Sequence, residues 1–327
     1  MALFGSKKNH VYLGMDLGGS NLYSVAFDHE MKPIFHSKID TEAREGYLHV
    51  IDRVAVQIQE LKKRLEQDGF ELAGIGLGVP GLVQSEEGSV LVAPNLGWSQ
   101  CKPVRDMDLP QELKDRTVLL NDVNAGLLGE LSRMDDNPRC AVAYFCGTGI
   151  GGAIALNGKL VEGRDGAAGE VGHMVVRSGG RKCGCGRQGC LEAYIGKWAL
   201  NAQILKALDH KKKTRLKSII NYNLKKQPVK SSSLKKAYEK GDSFTVELME
   251  EHYAHYLAIG LSQTANCLAP DCIVLGGGIM EAMGELLLPV IRNNLESLCM
   301  GPAPQLQLAE LGDLAGPLGA AIEASRR

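Results

Sequence analysis

Two segments of the sequence share a pattern in which an apolar strand runs into a glycine turn and a second strand follows. The first segment extends from Val11 to Asp28 and turns at residues 18–20. The second extends from Cys140 to Gly163, turns at residues 147–149, and begins about 130 residues later. Each pattern predicts a hairpin. The repetition predicts a duplicated α/β fold, in which each half supplies one hairpin of this kind.

Both turns have the composition of a phosphate-binding site. Glycine lets backbone N–H groups approach a phosphate, and in the first turn the Ser20 hydroxyl adds a donor. Asp16, at the end of the first strand, could orient a hydrated Mg²⁺ ion, which prefers carboxylates and water. A tight hairpin without a ligand could use the same residues. The second turn is not a Walker A loop, because it lacks the lysine, and it has no strand–turn–helix context of a dinucleotide fingerprint.

Cysteines are concentrated in the stretch from Gly169 to Glu192. Cys183, Cys185 and Cys190 lie within eight residues, and His173 lies ten residues before the first of them. Three thiolates and one imidazole make a complete tetrahedral shell for Zn²⁺, and a shell of four protein ligands is structural. The alternative is a set of reduced cysteines in a glycine-rich loop. The C-x-C-x4-C spacing favours zinc.

Polar residues in three places are candidates for a ligand site. Glu170 and Glu192 bracket the cysteine group, which suggests a polar site on a loop braced by zinc. Asp122 stands between a predicted strand and a helix that begins near Asn124, where α/β folds place ligand-binding groups. The alternative is an aspartate that caps the helix, and the two roles are compatible. Asn95, in the loop at residues 92–98, can offer both a donor and an acceptor.

Periodicity identifies further elements. Apolar residues at helical spacing predict a helix from Tyr47 to Gln67, and Gly69 follows as a stop signal. A buried strand is predicted at residues 72–81. Residues 270–280 predict another buried strand that ends at Gly276, Gly277 and Gly278. A triple-glycine turn permits close approach of a ligand, although tight packing alone could require it.

Composition limits the class of protein. A chain of 327 residues predicts two domains. A formal net charge of −1 gives no reason to expect nucleic acid or an anionic membrane as partner. The segment at residues 206–240 has twelve Lys and Arg, for which a solvated face is preferred over a nucleic-acid patch. Nine cysteines without a secretory signal favour a reducing, cytoplasmic location. No window is long and apolar enough to span a bilayer.

Together these motifs resemble the ROK family of sugar kinases and sugar-responsive repressors. The ordered set is DLGGS, NDVN, GTGIGG, GEVGH and CGCGRQGCLE, and the resemblance extends from Val11 to the C-terminus. It implies the actin/hexokinase-like fold, with two RNase H-like domains and a cleft between them. The implied domains are a smaller one at residues 1–121, a larger one with the zinc loop at 122–314, and a C-terminal helix at 315–327 that packs back on the first.

The resemblance also implies roles for individual residues. Asp122 is the expected catalytic base. The expected sugar ligands are Asn95, Asn121, Asp122, Glu170, His173 and Glu192, and the expected zinc ligands are His173, Cys183, Cys185 and Cys190. The ATP phosphates are expected at Asp16, Gly18, Gly19, Ser20, Gly147, Thr148 and Gly149, with the adenosine beside Gly276, Gly277 and Gly278.

The implied activity is ATP-dependent phosphorylation of a hexose, with Mg²⁺ and structural Zn²⁺. Glucose, giving glucose 6-phosphate, is the foremost hypothesis. Alternatives are N-acetylglucosamine, N-acetylmannosamine, mannose and fructose, another phosphoryl donor, or a sugar-binding regulator without catalysis. Only ten residues precede the first strand, too few for the helix-turn-helix of a repressor. Family kinases commonly have Lys or Arg where this chain has Asn21. A homodimer or homotetramer is expected from the resemblance, with sugar and ATP as small-molecule partners.

Overall fold

The computed structural model describes residues 9–136, 138–220 and 223–327. It contains two compact units, each with its own sheet and core. The first comprises Met1–Asn137, Gly158–Ala168 and Asp313–Arg327, and the second comprises Pro138–Asn157 and Gly169–Gly312. The first unit therefore runs beyond residue 121, the boundary that the family resemblance implies, and it includes the C-terminal helix.

The secondary structure alternates between strands and helices along the chain. The strands are β1 (His10–Leu17), β2 (Asn21–Phe27), β3 (Pro33–Asp40), β4 (Glu71–Val79), β5 (Leu82–Gln84), β6 (Ser89–Ala93), β7 (Trp98–Cys101), β8 (Thr117–Asn121), β9 (Cys140–Cys146), β10 (Ile150–Leu156), β11 (Lys159–Leu160), β12 (Cys272–Gly276) and β13 (Gln305–Leu308). The helices are α1 (Tyr47–Gln67), α2 (Pro103–Asp106), α3 (Gln111–Asp115), α4 (Asp122–Leu131), α5 (Glu192–Ile195), α6 (Lys197–Asp209), α7 (Leu216–Ile219), α8 (Ser231–Glu239), α9 (Ser243–Val246), α10 (His255–Leu268), α11 (Gly278–Glu296) and α12 (Ala315–Ser325).

The first unit is built on a sheet with the order β3-β2-β1-β4-β8. The β1–β2 and β2–β3 pairs are antiparallel, whereas β4 is parallel to both β1 and β8. Helix α1 has the predicted bounds and buries the predicted apolar stripe, which includes Val50, Val54 and Ile58. Helix α12 packs on β1, β4 and α4. Because α4 shares a core with α12 and β8, it belongs to the first unit and does not begin the second.

The second unit repeats this arrangement. Its sheet runs in the order β10-β9-β12-β13, with β9 and β10 antiparallel and β12 parallel to both β9 and β13. In each unit, therefore, two further strands lie beside the first strand of the hairpin, on the side away from the second, and run parallel to it. The duplication predicted from the two glycine turns is confirmed by this shared order and direction.

Helices cover the sheet of the second unit and carry most of its core. Gly196 separates α5 from α6. A π-helical segment at Glu247–Ala254 joins α9 to α10. None of the helices in the described part of the chain has the length and apolar character needed to cross a membrane.

Candidate functional site

The first glycine turn closes the β1–β2 hairpin and borders a cavity of about 280 Å³. The Gly18 N–H donates to the Asn21 carbonyl at 2.9 Å, which leaves residues 19 and 20 exposed at the tip. The cavity is lined by Asp16, Gly18, Gly19, Ser20, Asn21, Tyr23, Lys38 and Asp313. The structure therefore brings the predicted residues of this turn together around a space of suitable size for a phosphate and its counter-ions.

Asp16 has an unusual charge environment at the end of β1. Burial, and then the negative charges of Asp122 and Asp313, raise the pKa of Asp16 from 3.8 to about 7, whereas the Lys38 ammonium opposes the rise. The amino end of α12 is also close, because a Cβ added to Gly316 would lie 3.2 Å from the Asp16 Cγ. Carboxylates gathered in this way suit a divalent cation bound through oxygen.

Asp122 is the first residue of α4, and Asn121 is the residue that caps this helix. The Asn121 Oδ1 accepts from the backbone N–H of Val123 at 2.9 Å and of Asn124 at 3.0 Å. The Asn121 side-chain amide donates to the Gly81 carbonyl and to the Asp122 Oδ1, both at 3.0 Å. The alternative in which Asp122 serves as the N-cap is therefore wrong. Its carboxylate lies within the first turn, where the helix dipole favours a negative charge, and Asn121 orients it.

Asn95 lies in a short 3₁₀ turn, Pro94–Leu96, beside the first glycine turn. A Cβ added to Gly19 would come within 3.0 Å of the Asn95 carbonyl oxygen. Glycine at position 19 therefore permits this close approach without a shift of the Asn95 backbone. The structure brings Asn95 near the first glycine turn, within the same unit.

The predicted zinc ligands in the second unit lie together. One ligand atom from each of His173, Cys183, Cys185 and Cys190 lies within 4.8 Å of all the others. The Sγ atoms of Cys185 and Cys190 are 3.7 Å apart, and the Cys183 Sγ is 3.7 Å from the His173 Nδ1. Tetrahedral zinc, with bonds of about 2.0 to 2.3 Å, requires ligand atoms roughly 3.5 to 3.8 Å apart. The four residues fit a zinc ion without rearrangement of these pairs.

Short backbone hydrogen bonds hold the cysteine loop in shape. The Cys183 N–H donates to the Arg187 carbonyl at 2.8 Å, and the Gly186 N–H donates back to Cys183 at 3.0 Å. Gly186 has a φ of 87°, which favours glycine at this position. Burial would raise the pKa of Cys185, but hydrogen bonds from Arg187 and the neighbouring thiols outweigh burial and lower it to about 6. A thiol that ionises readily is suited to a metal.

Glu170, His173 and Glu192 surround the cysteine group. The His173 Nδ1 faces the Cys183 sulfur, while its Nε2 lies 3.9 Å from the Glu170 Oε2. The Glu192 Oε1 lies 3.7 Å from the Cys183 Sγ, and its Oε2 accepts from the Ile150 N–H at 3.1 Å. The two expected sugar-binding carboxylates are thus tied to the same loop. Glu192 also links that loop to the second glycine turn.

The second glycine turn and the triple glycine are neighbours in the second unit. The Gly147 N–H donates to the Gly149 carbonyl at 2.9 Å, and Thr148 is exposed at the tip. Gly276 ends β12, Gly277 has a φ of 84°, and Gly278 begins α11. A Cβ on Gly277 would lie 2.6 Å from the Cys146 carbonyl carbon, directly before the turn. Close backbone packing therefore requires glycine at position 277.

Two residues near the candidate site, Lys38 and Arg181, were not predicted from the sequence. Lys38 reaches the first cavity from β3, where it pairs in register with Tyr23 of β2, and its Nζ lies 3.0 Å from the Asp313 Oδ2. The alternation of β3 could have placed Lys38 on that face. Arg181 packs over the Tyr194 ring at 4.8 Å, and its N–H donates to the Tyr194 hydroxyl at 3.0 Å. Tyr194 in turn stacks on Tyr256, so these two aromatic rings support the cysteine loop at Arg181.

A sequence model of the ROK family matches residues 12–327. The chain belongs to the ROK family. A glucokinase of Thermotoga maritima is 32% identical to it, over 94% of this chain and 95% of that protein. An N-acetyl-D-glucosamine kinase of Citrobacter koseri is 29% identical, over 95% of this chain and 98% of that protein. The crystal structure of a ROK family glucokinase from Streptomyces griseus in complex with glucose and AMPPNP has a TM-score of 0.79 and 28% identity, and covers 97% of this chain and 100% of that one.

These similarities confirm the predicted family and the predicted actin/hexokinase-like, two-domain α/β fold. The expected class of enzyme, an ATP-dependent sugar kinase, is confirmed as well. The ROK family relatives named above are kinases of two sugars, glucose and N-acetyl-D-glucosamine.

Proposed function

We propose that this ATP-dependent sugar kinase phosphorylates a hexose, foremost glucose, at the 6-hydroxyl. One observation carries the proposal. Asp122 and Asp16 are close enough for the charge of one to raise the pKa of the other, and Asp16 borders the cavity of the first glycine turn. A carboxylate that can accept a hydroxyl proton therefore lies beside a site suited to a phosphate and its cation.

In the proposed reaction, Asp122 acts as the general base. Its carboxylate accepts the proton of the sugar 6-hydroxyl while that oxygen bonds to the γ-phosphorus, and the bond from the γ-phosphorus to the ADP oxygen breaks. Phosphoryl transfer has a loose transition state, so alignment and charge neutralisation matter more than the strength of the base. Asn121 fixes the orientation of Asp122 through a hydrogen bond of 3.0 Å.

Sugar hydroxyls are assigned to side chains that accept their hydrogen bonds, as the carboxylates do, or that can also donate, as the amides and the imidazole do. In the first unit these are Asn95, Asn121 and Asp122, and in the second they are Glu170, His173 and Glu192. A carboxylate accepts from adjacent hydroxyls, and an analogue that lacks one of them leaves the carboxylate unpaired. The 3.9 Å separation between the His173 Nε2 and the Glu170 Oε2 leaves both groups available to a hydroxyl.

The nucleotide is assigned to the two glycine turns and the triple glycine. In the first unit, the backbone at Gly18 and Gly19 and the Ser20 hydroxyl would contact phosphate oxygens, and Asp16 would hold a hydrated Mg²⁺. In the second unit, Gly147, Thr148 and Gly149 would contact phosphate, with Gly276, Gly277 and Gly278 beside the adenosine. Mg²⁺ supplies neutralisation of the phosphate charge.

Zinc is assigned a structural role. His173, Cys183, Cys185 and Cys190 would use all four positions of the ion, which leaves none for a substrate. With its Nδ1 committed to the metal, His173 presents its Nε2 to the sugar in a fixed orientation. Nine free cysteines and a thiolate site suit a reducing compartment such as the cytoplasm.

A coupled assay of ADP release tests the proposal. Glucose, N-acetylglucosamine, N-acetylmannosamine, mannose and fructose are each supplied with Mg²⁺ and ATP, and polyphosphate is tested as a second donor. We expect the highest kcat/KM with glucose and ATP. Asp122→Asn should reduce kcat by a factor on the order of 10² or more, as expected for loss of a base. Asp52→Asn, an exposed carboxylate on α1, is the matched control.

Each outcome has a defined meaning. If N-acetylglucosamine gives the highest kcat/KM, the choice of glucose is wrong, and the similarity to the Citrobacter koseri enzyme is the better guide. If no sugar stimulates ATP turnover while glucose still binds, the protein is a sugar-binding regulator. Turnover by Asp122→Asn at the parent rate would exclude Asp122 as the base.

We also propose that the chain assembles into a homodimer or homotetramer, as expected from the family. Light scattering after size exclusion measures the mass directly, and a mass near 35 kDa, that of a single chain, would contradict it.

A further inference from the structure

Lys197 connects the second glycine turn to the amino end of α11. Its backbone N–H donates to the Gly147 carbonyl at 3.2 Å. Its side chain extends to the other side of the same site, because a Cβ added to Gly278 would lie 3.7 Å from the Lys197 Nζ. The Ser231 Oγ lies 3.6 Å from that position. A cation and a hydroxyl therefore approach a stretch of glycine backbone that has no side chain of its own.

The positive charge of the Lys197 ammonium has no nearby negative charge to balance it among the described residues. Lys197 is partly buried, and within residues 9–136, 138–220 and 223–327 no carboxylate oxygen lies within 4 Å of its ammonium group. The ammonium is beside the first turn of a 19-residue helix, where unpaired N–H groups create a positive potential. A second positive charge is unfavourable there. An anion between the ammonium and the helix would be attracted both by the ammonium and by the positive amino end of the helix.

We propose that Lys197 binds the α- or β-phosphate of the nucleotide. This inference rests on the proposed nucleotide site and adds a residue that the sequence motifs do not include. The Gly147 turn, the Gly278 N–H and the Lys197 ammonium together supply backbone donors and one full charge for a phosphate. Charge-assisted hydrogen bonds of this kind are among the stronger polar contacts in proteins. Adenine and ribose have no negative charge, so the ammonium selects the phosphate part of the nucleotide.

Each of the two glycine turns has its own lysine nearby. Lys38 borders the cavity of the first turn and is paired with Asp313. Lys197 has no such carboxylate partner among the described residues, so its charge is available to the ligand. Removal of Lys197 should therefore weaken binding of phosphate-bearing nucleotides directly.

Calorimetric titration of the zinc-loaded, full-length protein with ADP, AMP and adenosine tests the proposal. Lys197→Met should weaken ADP binding by about ten- to a hundredfold, the range for loss of a hydrogen bond to a charged group. Adenosine affinity should change less than about twofold, because no phosphate is present. Lys197→Arg should retain most of the ADP affinity. Lys206→Met, which alters an exposed lysine of the same helix, is the matched control and should bind ADP like the parent.

The outcomes separate this inference from the proposed function. Equal weakening of ADP and adenosine by Lys197→Met would overturn the phosphate contact and indicate a contact with the base or the ribose. Unchanged ADP affinity would overturn it as well. If Lys197→Met does not fold, Lys197→Gln and Lys197→Arg give the same comparison. If the parent protein binds glucose but neither ADP nor ATP, the kinase proposal itself fails.

Discussion

Replacement of Asp16 by asparagine should stabilise the free protein at alkaline pH while it impairs activity. Asp16 is the penultimate residue of β1 and is partly buried, and burial together with the charges of Asp122 and Asp313 raises its pKa from 3.8 to about 7. The folded protein therefore retains a proton that the unfolded chain releases at lower pH. An uncharged amide of nearly the same shape avoids the ionisation of this side chain altogether.

The sign and size of the effect follow from the two pKa values. Between pH 3.8 and about 7 the folded state binds more protons at Asp16 than the unfolded state, so stability falls as pH rises. Above pH 7 the loss is complete and constant. Because each pKa unit corresponds to about 1.36 kcal/mol, the full loss is on the order of 4 kcal/mol. Asp16→Asn should therefore match the parent near pH 4 and exceed it most above pH 7.

Thermal unfolding from pH 4.5 to pH 8.5, without nucleotide or Mg²⁺, measures the difference. A gain of 1 kcal/mol raises the melting temperature by about 2 to 4 °C in a unit of this size. The advantage of Asp16→Asn should therefore reach roughly 8 °C or more at pH 8 and fall to about 2 to 4 °C at pH 4.5, where about 1 kcal/mol of the difference remains. Asp52→Asn removes an exposed carboxylate and should show no such trend.

The same melting experiment with Mg²⁺ and ADP tests whether Asp16 also takes part in ligand binding. Mg²⁺ and ADP should raise the melting temperature of the parent at pH 8, because binding to the folded state stabilises it. The rise should be much smaller for Asp16→Asn. A pH-independent difference between the two proteins, or a variant that is less stable than the parent at pH 8, would refute the assigned electrostatic environment of Asp16.

Three further predictions follow from single contacts. Cys185→Ala should abolish zinc retention and weaken sugar binding together, because in the proposed site the metal would fix the side chains that contact the sugar. Zinc assay and calorimetry test this, and full sugar affinity in a zinc-free protein would contradict the bracing role. Gly277→Ala should lower stability by roughly 2 kcal/mol or more and weaken nucleotide binding, because its Cβ would lie 2.6 Å from neighbouring backbone; Gly241→Ala has a similar φ of 66° but open space around it, and should cost only about 1 kcal/mol. Asn121→Ala should cost about 1 to 2 kcal/mol through loss of the helix cap and should lower kcat more than it changes the sugar KM, because Asp122 loses its orienting hydrogen bond. An unchanged kcat would show that Asp122 is oriented by other contacts.

Local patterns predicted the features that depend on residues near each other in the sequence. The bounds of α1 follow from its apolar stripe between Tyr47 and Gln67, and both hairpins follow from strands on either side of a glycine turn. The cysteine cluster was equally accessible, because three of its four ligands lie within eight residues. In each case the interaction that fixes the structure acts over a short separation along the chain.

Features that depend on distant segments were not accessible in this way. The proximity of Asp16 to Asp122 arises because β1 and β8 flank β4 in one sheet, and 106 residues separate the two side chains. Lys38 and Lys197 belong to no motif, and only packing brings them to the glycine turns. The cap of α4 was ambiguous for a different reason, because asparagine and aspartate cap equally well and occupy adjacent positions.

The two hairpins correspond in register, and this correspondence shows how the halves have diverged. Asp16 lies two residues before Gly18 and pairs with Gly78 of the parallel strand β4. Phe145 lies two residues before Gly147 and pairs with Gly276 of the parallel strand β12. The position that holds a carboxylate in the first unit thus holds an aromatic ring in the second. We therefore expect the first turn to bind a divalent cation beside the proposed base, and the second turn, with the amino end of α11, to bind anions through backbone and ammonium groups. Transfer of Asp16 to the second hairpin, as Phe145→Asp, should therefore not restore activity to Asp16→Asn, because Asp122 and Asp313, the carboxylates grouped with Asp16, belong to the first unit. Recovered turnover in that double variant would contradict this division of roles.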